Sequence, residues 1–192
     1  MESLLVSTAV VAVAEIGDKT QLLALVLAAR FRKPLPITLG ILGATLANHA
    51  LAAWAGTIVA AWAGGEILRW ALGLSFLAMA IWIMIPDKID DGPRLLDRFG
   101  PFVATLVAFF LVEIGDKTQI ATIALAARYD DVLLVTAGTT LGMMIANVPA
   151  VLLGDVAAKT LPLKLVHGVA AAIFAVMGIL AIADIGGAFG GS

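Results

Sequence analysis

The sequence predicts an all-α integral membrane protein, with six transmembrane helices arranged as two inverted-topology three-helix repeats. Three observations lead there. Of 192 residues, 61% are hydrophobic and only 14% charged, against about 25% charged in ordinary soluble domains, and the mean hydropathy is +1.05. So few charges cannot cover a water-facing surface, so lipid is the solvent for most of the chain. Six apolar stretches are each long enough to cross about 30 Å of hydrocarbon, which takes about 20 helical residues. Finally, a seven-residue segment in the first stretch recurs unchanged 98 residues later, in the fourth.

The stretches run from Leu4 to Ala29, Pro36 to Trp62, Ile67 to Ile85, Phe102 to Ala127, Val132 to Ala157 and Leu165 to Ile182. The first closes at Arg30-Phe31-Arg32-Lys33-Pro34, where charge and proline end a span together. Gly64-Gly65-Glu66 separates the second from the third, and the polar run from Pro86 to Pro101 separates the third from the fourth. Arg128-Tyr129-Asp130-Asp131 and the segment Lys159 to Lys164 bound the fifth. Strand-length alternation is absent, so helices rather than a β-barrel satisfy the backbone in lipid. Leu4 to Val13 followed by a small-x-small triplet has the outline of a signal peptide. It carries Glu2 and no leading Lys or Arg, however, and the segment after the apparent cleavage point recurs inside a later apolar run. A retained first span is the expectation.

Several classes are excluded by composition. With no cysteine there is no disulfide framework, thiol chemistry or Cys-based metal centre. A pI near 5.6 without a basic cluster leaves no footprint for nucleic acid.

The repeat is Glu15-Ile16-Gly17-Asp18-Lys19-Thr20-Gln21, returning as Glu113-Ile114-Gly115-Asp116-Lys117-Thr118-Gln119, and it continues through Leu27-Ala28-Ala29-Arg30 and Leu125-Ala126-Ala127-Arg128. Thr38 and Gly40 correspond to Thr136 and Gly138, and Asn48 to Asn147 with a one-residue slip. A duplicated three-helix unit follows, with residues 1–85 and 101–192 as the two repeats and 86–100 as the connecting loop. Three spans per unit is an odd number, so the second copy starts from the opposite side of the bilayer, an inversion common in secondary transporters. The loops after spans one, three and five hold Arg30, Arg32, Lys33, Lys88, Arg94, Arg98, Lys159 and Lys164; outside the motifs, the other side holds Arg69 and Arg128. The positive-inside rule places the first set in the cytoplasm and both termini outside. The loop from Asp87 to Arg98, with Asp90 and Asp91, reads as a solvated connector.

Charges in the middle of spans are the energetic anomaly. Glu15, Asp18 and Lys19 cost about 3 kcal/mol each at the centre of a membrane helix. They must face the protein interior, and intramembrane ionisable groups mark functional sites. On a continuous helix at 100° per residue all three look into one cavity. Glu15, Asp18, Glu113 and Asp116 are thus the primary metal-ligand candidates, with Lys19 and Lys117 as internal counter-charges that swing away when a cation arrives. The two motifs together carry a net charge of −2, which one divalent ion neutralises. Protons can neutralise the same carboxylates, and that competition is the chemical basis of antiport. Oxygen donors suit Mn²⁺, Ca²⁺ or Mg²⁺, while absent cysteine and scarce histidine argue against a Zn²⁺ or Cu⁺ carrier. The structural alternative is a local salt bridge in each motif, Glu15 with Lys19 or Glu113 with Lys117, that only pins helices, with Asp18 and Asp116 bonded across the bundle. Gly17 and Gly115 read as close-packing points rather than places where the helix unwinds.

Gln21, Gln119, Thr20, Thr118, Asn48 and Asn147 are secondary candidates that either complete the coordination shell or hydrogen-bond between helices. Pro149 frees the Ile145 carbonyl beside Asn147. His49 and His167 have no counterparts in the other repeat and read as packing or interfacial residues, with metal ligation or proton relay as the alternative. Trp54, Trp62, Trp70 and Trp82 read as interfacial anchors.

At the duplicated Glu-x-Gly-Asp-(Lys/Arg)-(Ser/Thr) motif the chain resembles the Gdt-type cation transporters. That family includes the Golgi manganese/calcium transporter linked to glycosylation defects, chloroplast manganese transporters and bacterial manganese exporters, and is grouped with the lysine-exporter superfamily. The resemblance covers nearly the whole chain and every motif position in both copies. It implies export of Mn²⁺ or Ca²⁺ from the cytosol in exchange for protons, with Glu15, Asp18, Glu113 and Asp116 at the cation site. The short termini resemble a bacterial form in the cytoplasmic (inner) membrane. The expected protein is not an enzyme and carries no prosthetic group; its partners are the divalent cation, protons, the lipid bilayer and a possible second copy in a homo-oligomer. Competing readings are an amino-acid (lysine-type) exporter, with Lys19 or Lys117 taking the substrate carboxylate, and a non-transporting membrane scaffold. An intramembrane aspartyl protease also has Gly-Asp, but here Glu15 stands two positions before Gly17, and duplicated Glu and Lys have no role in peptide hydrolysis.

Overall fold

The computed structural model describes residues 1–85, 98–153 and 163–184, which form seven helices and no strand. They are α1 (Glu2–Glu15), α2 (Lys19–Phe31), α3 (Pro34–Trp82), α4 (Gly100–Glu113), α5 (Lys117–Tyr129), α6 (Val132–Leu153) and α7 (Leu163–Ile182). The loop expected over 86–100 lies outside the described residues as far as 97, and Gly100 and Pro101 already belong to α4. The segment 154–162, which holds Lys159, also lies outside them.

Burial is inverted relative to a soluble protein. Trp62, Leu133, Ile81, Leu35 and Ile67 are among the large apolar side chains left exposed, while Glu15, Asp18, Glu113, Asp116 and Lys117 are buried. Water would not tolerate the first set outside or the second inside, so the surrounding solvent is hydrocarbon. By length and composition α3, α6 and residues Leu165–Ile182 of α7 are long and apolar enough to cross a membrane. At about 1.5 Å per residue, the 49 residues of α3 exceed twice the hydrocarbon thickness. Gly64 breaks that helix with φ 63° and ψ 154°, a conformation that glycine adopts without steric cost.

The first and fourth apolar stretches are each two helices rather than the one expected. α1 has 14 residues and α2 has 13, so at about 1.5 Å per residue neither crosses the hydrocarbon alone. α4 and α5 divide the same way, with 14 and 13 residues. Each second half ends alike: Arg32 and Asp130, at φ 51° and 50°, donate their backbone N–H to Ala28 and Ala126.

Packing joins each copy to the other. α1 lies mainly against α6, and α4 and α5 lie against α3. Gly138 lets α6 approach α1 so closely that an added Cβ would stand 2.5 Å from the Leu4 carbonyl and 2.9 Å from the Ser7 side chain. Gly40, its counterpart in the repeat, lets α3 approach α4 at Phe102 and Thr105, the counterparts of Leu4 and Ser7. Small residues thus set the helix spacing, as expected where lipid supplies no hydrophobic drive for association. One apolar core gathers Phe76, Met79, Leu125, Val135 and Phe174; a second gathers Leu23, Ile37, Ile41 and Phe109.

Candidate cation site

Both heptapeptides break their helices in the same way. In the first, Ile16 takes φ −64° and ψ 118°, Gly17 takes φ 83°, and the Asp18 N–H donates to the Glu15 carbonyl at 3.0 Å. In the second, Ile114 takes φ −62° and ψ 118°, Gly115 takes φ 75°, and the Asp116 N–H donates to Glu113 at 3.0 Å. These are type II turns, which need a positive φ at the third residue and so favour glycine there. The glycines therefore unwind the helix, correcting the expectation that they serve as packing points. The N–H each turn frees is taken by a glutamine: Gly17 donates to Gln21 Oε1 at 2.9 Å and Gly115 to Gln119 Oε1 at 2.7 Å. Gln21 also donates from Nε2 to the Ala146 carbonyl of α6 at 2.9 Å. Asp18 and Asp116 follow the turns as the N-caps of α2 and α5.

The breaks replace the single helical arc expected for the charges. Glu15 and Glu113 end one helix each, while Lys19 and Lys117 begin the next, so a turn separates each glutamate from the lysine of its own motif. The ion pairs cross between the copies: Lys117 Nζ lies 2.6 Å from Asp18 Oδ1, and Lys19 Nζ lies 2.7 Å from Asp116 Oδ1. The first pair is sealed, with side chains 4% and 2% exposed; in the second, Lys19 is 25% exposed.

Asp116 also belongs to a carboxylate cluster. Glu15, Glu113 and Asp116 each offer an oxygen within 4.8 Å of the others, and all three are buried. Both carboxylate oxygens of Glu15, and Oε1 of Glu113, have no hydrogen-bond partner among the described residues. Thr118 Oγ1 lies 3.2 Å from both Glu113 Oε2 and Asp116 Oδ2 and ties the second copy's acids together. Thr20, its counterpart, is buried, and its hydroxyl has no partner among the described residues. Asp18 stays with Lys117, outside this three-acid group. Buried carboxylates so close repel one another, and Glu15 has no donor among the described residues, an arrangement a cation relieves.

Of the secondary candidates, Asn48 donates from Nδ2 to the Phe110 carbonyl at 3.0 Å, joining α3 to α4 one turn before Glu113. Asn147 donates to Met143 of its own helix at 3.1 Å, and its buried Oδ1 has no partner among the described residues. His49, read from the sequence as a packing residue, lies beside the acids. It is fully buried, with Nε2 at 3.8 Å from Glu113 Oε2; its place beside Asn48 was the one signal available. His167 Nε2 lies 3.1 Å from the carbonyl of Ile16, so α7 covers the first break.

Comparison with known proteins gives the family. The family described as divalent cation/proton antiporter GDT1 matches residues 3–91 and 101–187, and the chain belongs to that family. It is 56% identical over 180 residues to a Vibrio cholerae protein described as "Putative manganese exporter", covering 93% of this chain and 90% of that one. It is 28% identical to GDT1-like protein 3 of Oryza sativa, covering 90% of this chain and 71% of the rice protein. A GDT1-like protein of Synechocystis is also 28% identical, over 87% of this chain and 91% of its own length. No solved structure matches the chain. The protein is therefore an integral membrane transporter of the divalent cation/proton antiporter kind.

Proposed function

We propose that the protein exports Mn²⁺, and Ca²⁺ less well, from the cytosol in exchange for protons, by alternating access. The observation that carries this reading is the buried Glu15 carboxylate, without a hydrogen-bond donor and within 4.8 Å of acids from the other copy of the repeat. Glu15, Glu113 and Asp116 hold the ion, and Asp18 joins them when Lys117 moves aside. Lys19 and Lys117 act as resident counter-charges, occupying the aspartates while the ion is away. Protons discharge the same carboxylates, so ion and proton compete for one site. Half-helix ends at membrane depth supply carbonyls to ions in other transporters, and the α1 and α4 C-termini offer the same here.

The architecture in this reading is six spans in two inverted halves, residues 1–85 and 101–192 joined through 86–100. The spans are α1 with α2, the two arms of α3 on either side of Gly64, α4 with α5, α6 and α7. The exchange of partners between copies, Gly40 with Phe102 and Gly138 with Leu4, supports a two-fold relation between halves. Charge bias puts the loops after spans one, three and five in the cytoplasm and both termini outside, in a bacterial inner membrane. The description of the Vibrio cholerae relative supports manganese as the first substrate. An amino-acid substrate is less well served, because Lys19 and Lys117 are both engaged by aspartates.

The test is uptake into proteoliposomes holding the purified protein, with Mn²⁺, Ca²⁺, Mg²⁺ and lysine compared with and without an imposed pH gradient. Mn²⁺ flux, accelerated by an opposing proton gradient and accompanied by proton movement, is the expected result. Lysine flux without divalent-cation flux overturns the reading.

A further inference from the structure

We propose that His49 is a nitrogen ligand of the transported ion, and that it selects first-row transition divalent cations over Ca²⁺ and Mg²⁺. This rests on the cation site proposed above and assigns it a donor that the acidic motifs do not contain.

His49 is fully buried, and neither ring nitrogen has a hydrogen-bond partner among the described residues. A buried imidazole without partners forfeits the hydrogen bonds it would make in water, a cost proteins rarely bear without return. Its Nε2 lies 3.8 Å from Glu113 Oε2. That is too long for a hydrogen bond, but it falls within the separation of about 3 to 5 Å between two donors that each stand about 2.1 to 2.5 Å from one ion. The ring is also held in place: the Asn48 bond to Phe110 and the close approach of Gly40 to Phe102 fix this stretch of α3 against α4, whose last residue is Glu113.

The chemical consequence concerns selectivity. Hard Ca²⁺ and Mg²⁺ take oxygen ligands almost exclusively, whereas imidazole nitrogen favours first-row transition ions. Carboxylates alone discriminate poorly between Mn²⁺ and Ca²⁺. One imidazole among them tilts the balance toward Mn²⁺ and its neighbours in the series. The feature belongs to one half only, because the position following Asn147 is Val148.

Mn²⁺ is its own spectroscopic probe. The tag-free full chain has two histidines, so pulsed electron paramagnetic resonance of the Mn²⁺-loaded protein reads the ligand directly. The expected result is nitrogen coupling that shifts on ¹⁵N-histidine labelling, disappears in His49→Gln and persists in His167→Gln. His49→Gln is also expected to weaken Mn²⁺ binding about tenfold and to change Ca²⁺ binding less than about twofold. Stoichiometric Mn²⁺ without histidine coupling, or coupling lost in His167→Gln instead, overturns this inference and leaves the acidic site standing. No Mn²⁺ binding at all overturns both. If His49→Gln does not fold, ¹⁵N-histidine labelling of the wild-type protein together with His167→Gln still decides the matter.

Discussion

Lys117 and Asp18 belong to different copies of the same heptapeptide, yet the ammonium nitrogen of one lies 2.6 Å from the carboxylate of the other, both almost wholly buried. Its mirror, Lys19 with Asp116 at 2.7 Å, is partly open. Two pairs of the same chemistry at different exposure is what a two-sided gate requires, one pair closed and the other accessible.

Lys117→Met removes the ammonium that neutralises a buried aspartate and is expected to cost about 3–5 kcal/mol. Adding Asp18→Asn should recover much of that loss. Lys19→Met also strands a buried aspartate, Asp116 at 1% exposed, but Thr118 still donates to it and the Lys19 side is open to water, so a smaller loss of about 1–3 kcal/mol is expected. Unfolding of single and double variants in detergent, treated as a double-mutant cycle, checks the ordering.

The turns at Gly17 and Gly115 carry positive φ, and nothing stands within 4 Å of where a Cβ at Gly115 would sit. Gly115→Ala therefore tests backbone conformation alone and is expected to destabilise by about 1–2 kcal/mol. Gly115→Asn should be milder, since asparagine visits that region more readily. Thermal midpoints of the two variants give the comparison.

Glycine to alanine should act in opposite directions at two kinds of position. An added Cβ at Gly56 would collide with the Ile123 carbonyl and one at Gly138 with that of Leu4, so Gly56→Ala and Gly138→Ala are expected to cost about 1–3 kcal/mol. Gly168 has open space in the same direction, and Gly168→Ala should be neutral or stabilise by up to about 1 kcal/mol through helix propensity. Denaturation of the three variants in one detergent separates the cases.

The lipid environment, the helical class and the duplication were all legible because each rests on composition or repetition that no local detail disturbs. The helix breaks were not. A glycine between apolar runs has the same appearance whether it packs or unwinds; the positive φ of Gly17 and its N–H bond to Gln21 distinguish the two in the structure. The crossed ion pairs were hidden for a related reason: i, i+4 spacing offers Glu15 and Lys19 to each other on paper, and the turn between them withdraws the offer. Residues of the heptapeptides stood out by recurring. His49 recurs nowhere, so the signal that exposed the acids was silent for it.

The central claim is that one ion is held jointly by acids from both copies. Counting Mn²⁺ on the purified protein by electron paramagnetic resonance titration tests this most directly, alongside Glu15→Gln and Glu113→Gln variants shown to be folded. The account expects one Mn²⁺ per chain, with either substitution weakening it by about 100-fold or more, equivalent to about 2.7 kcal/mol. Two ions per chain, with each substitution removing only one of them, would contradict it.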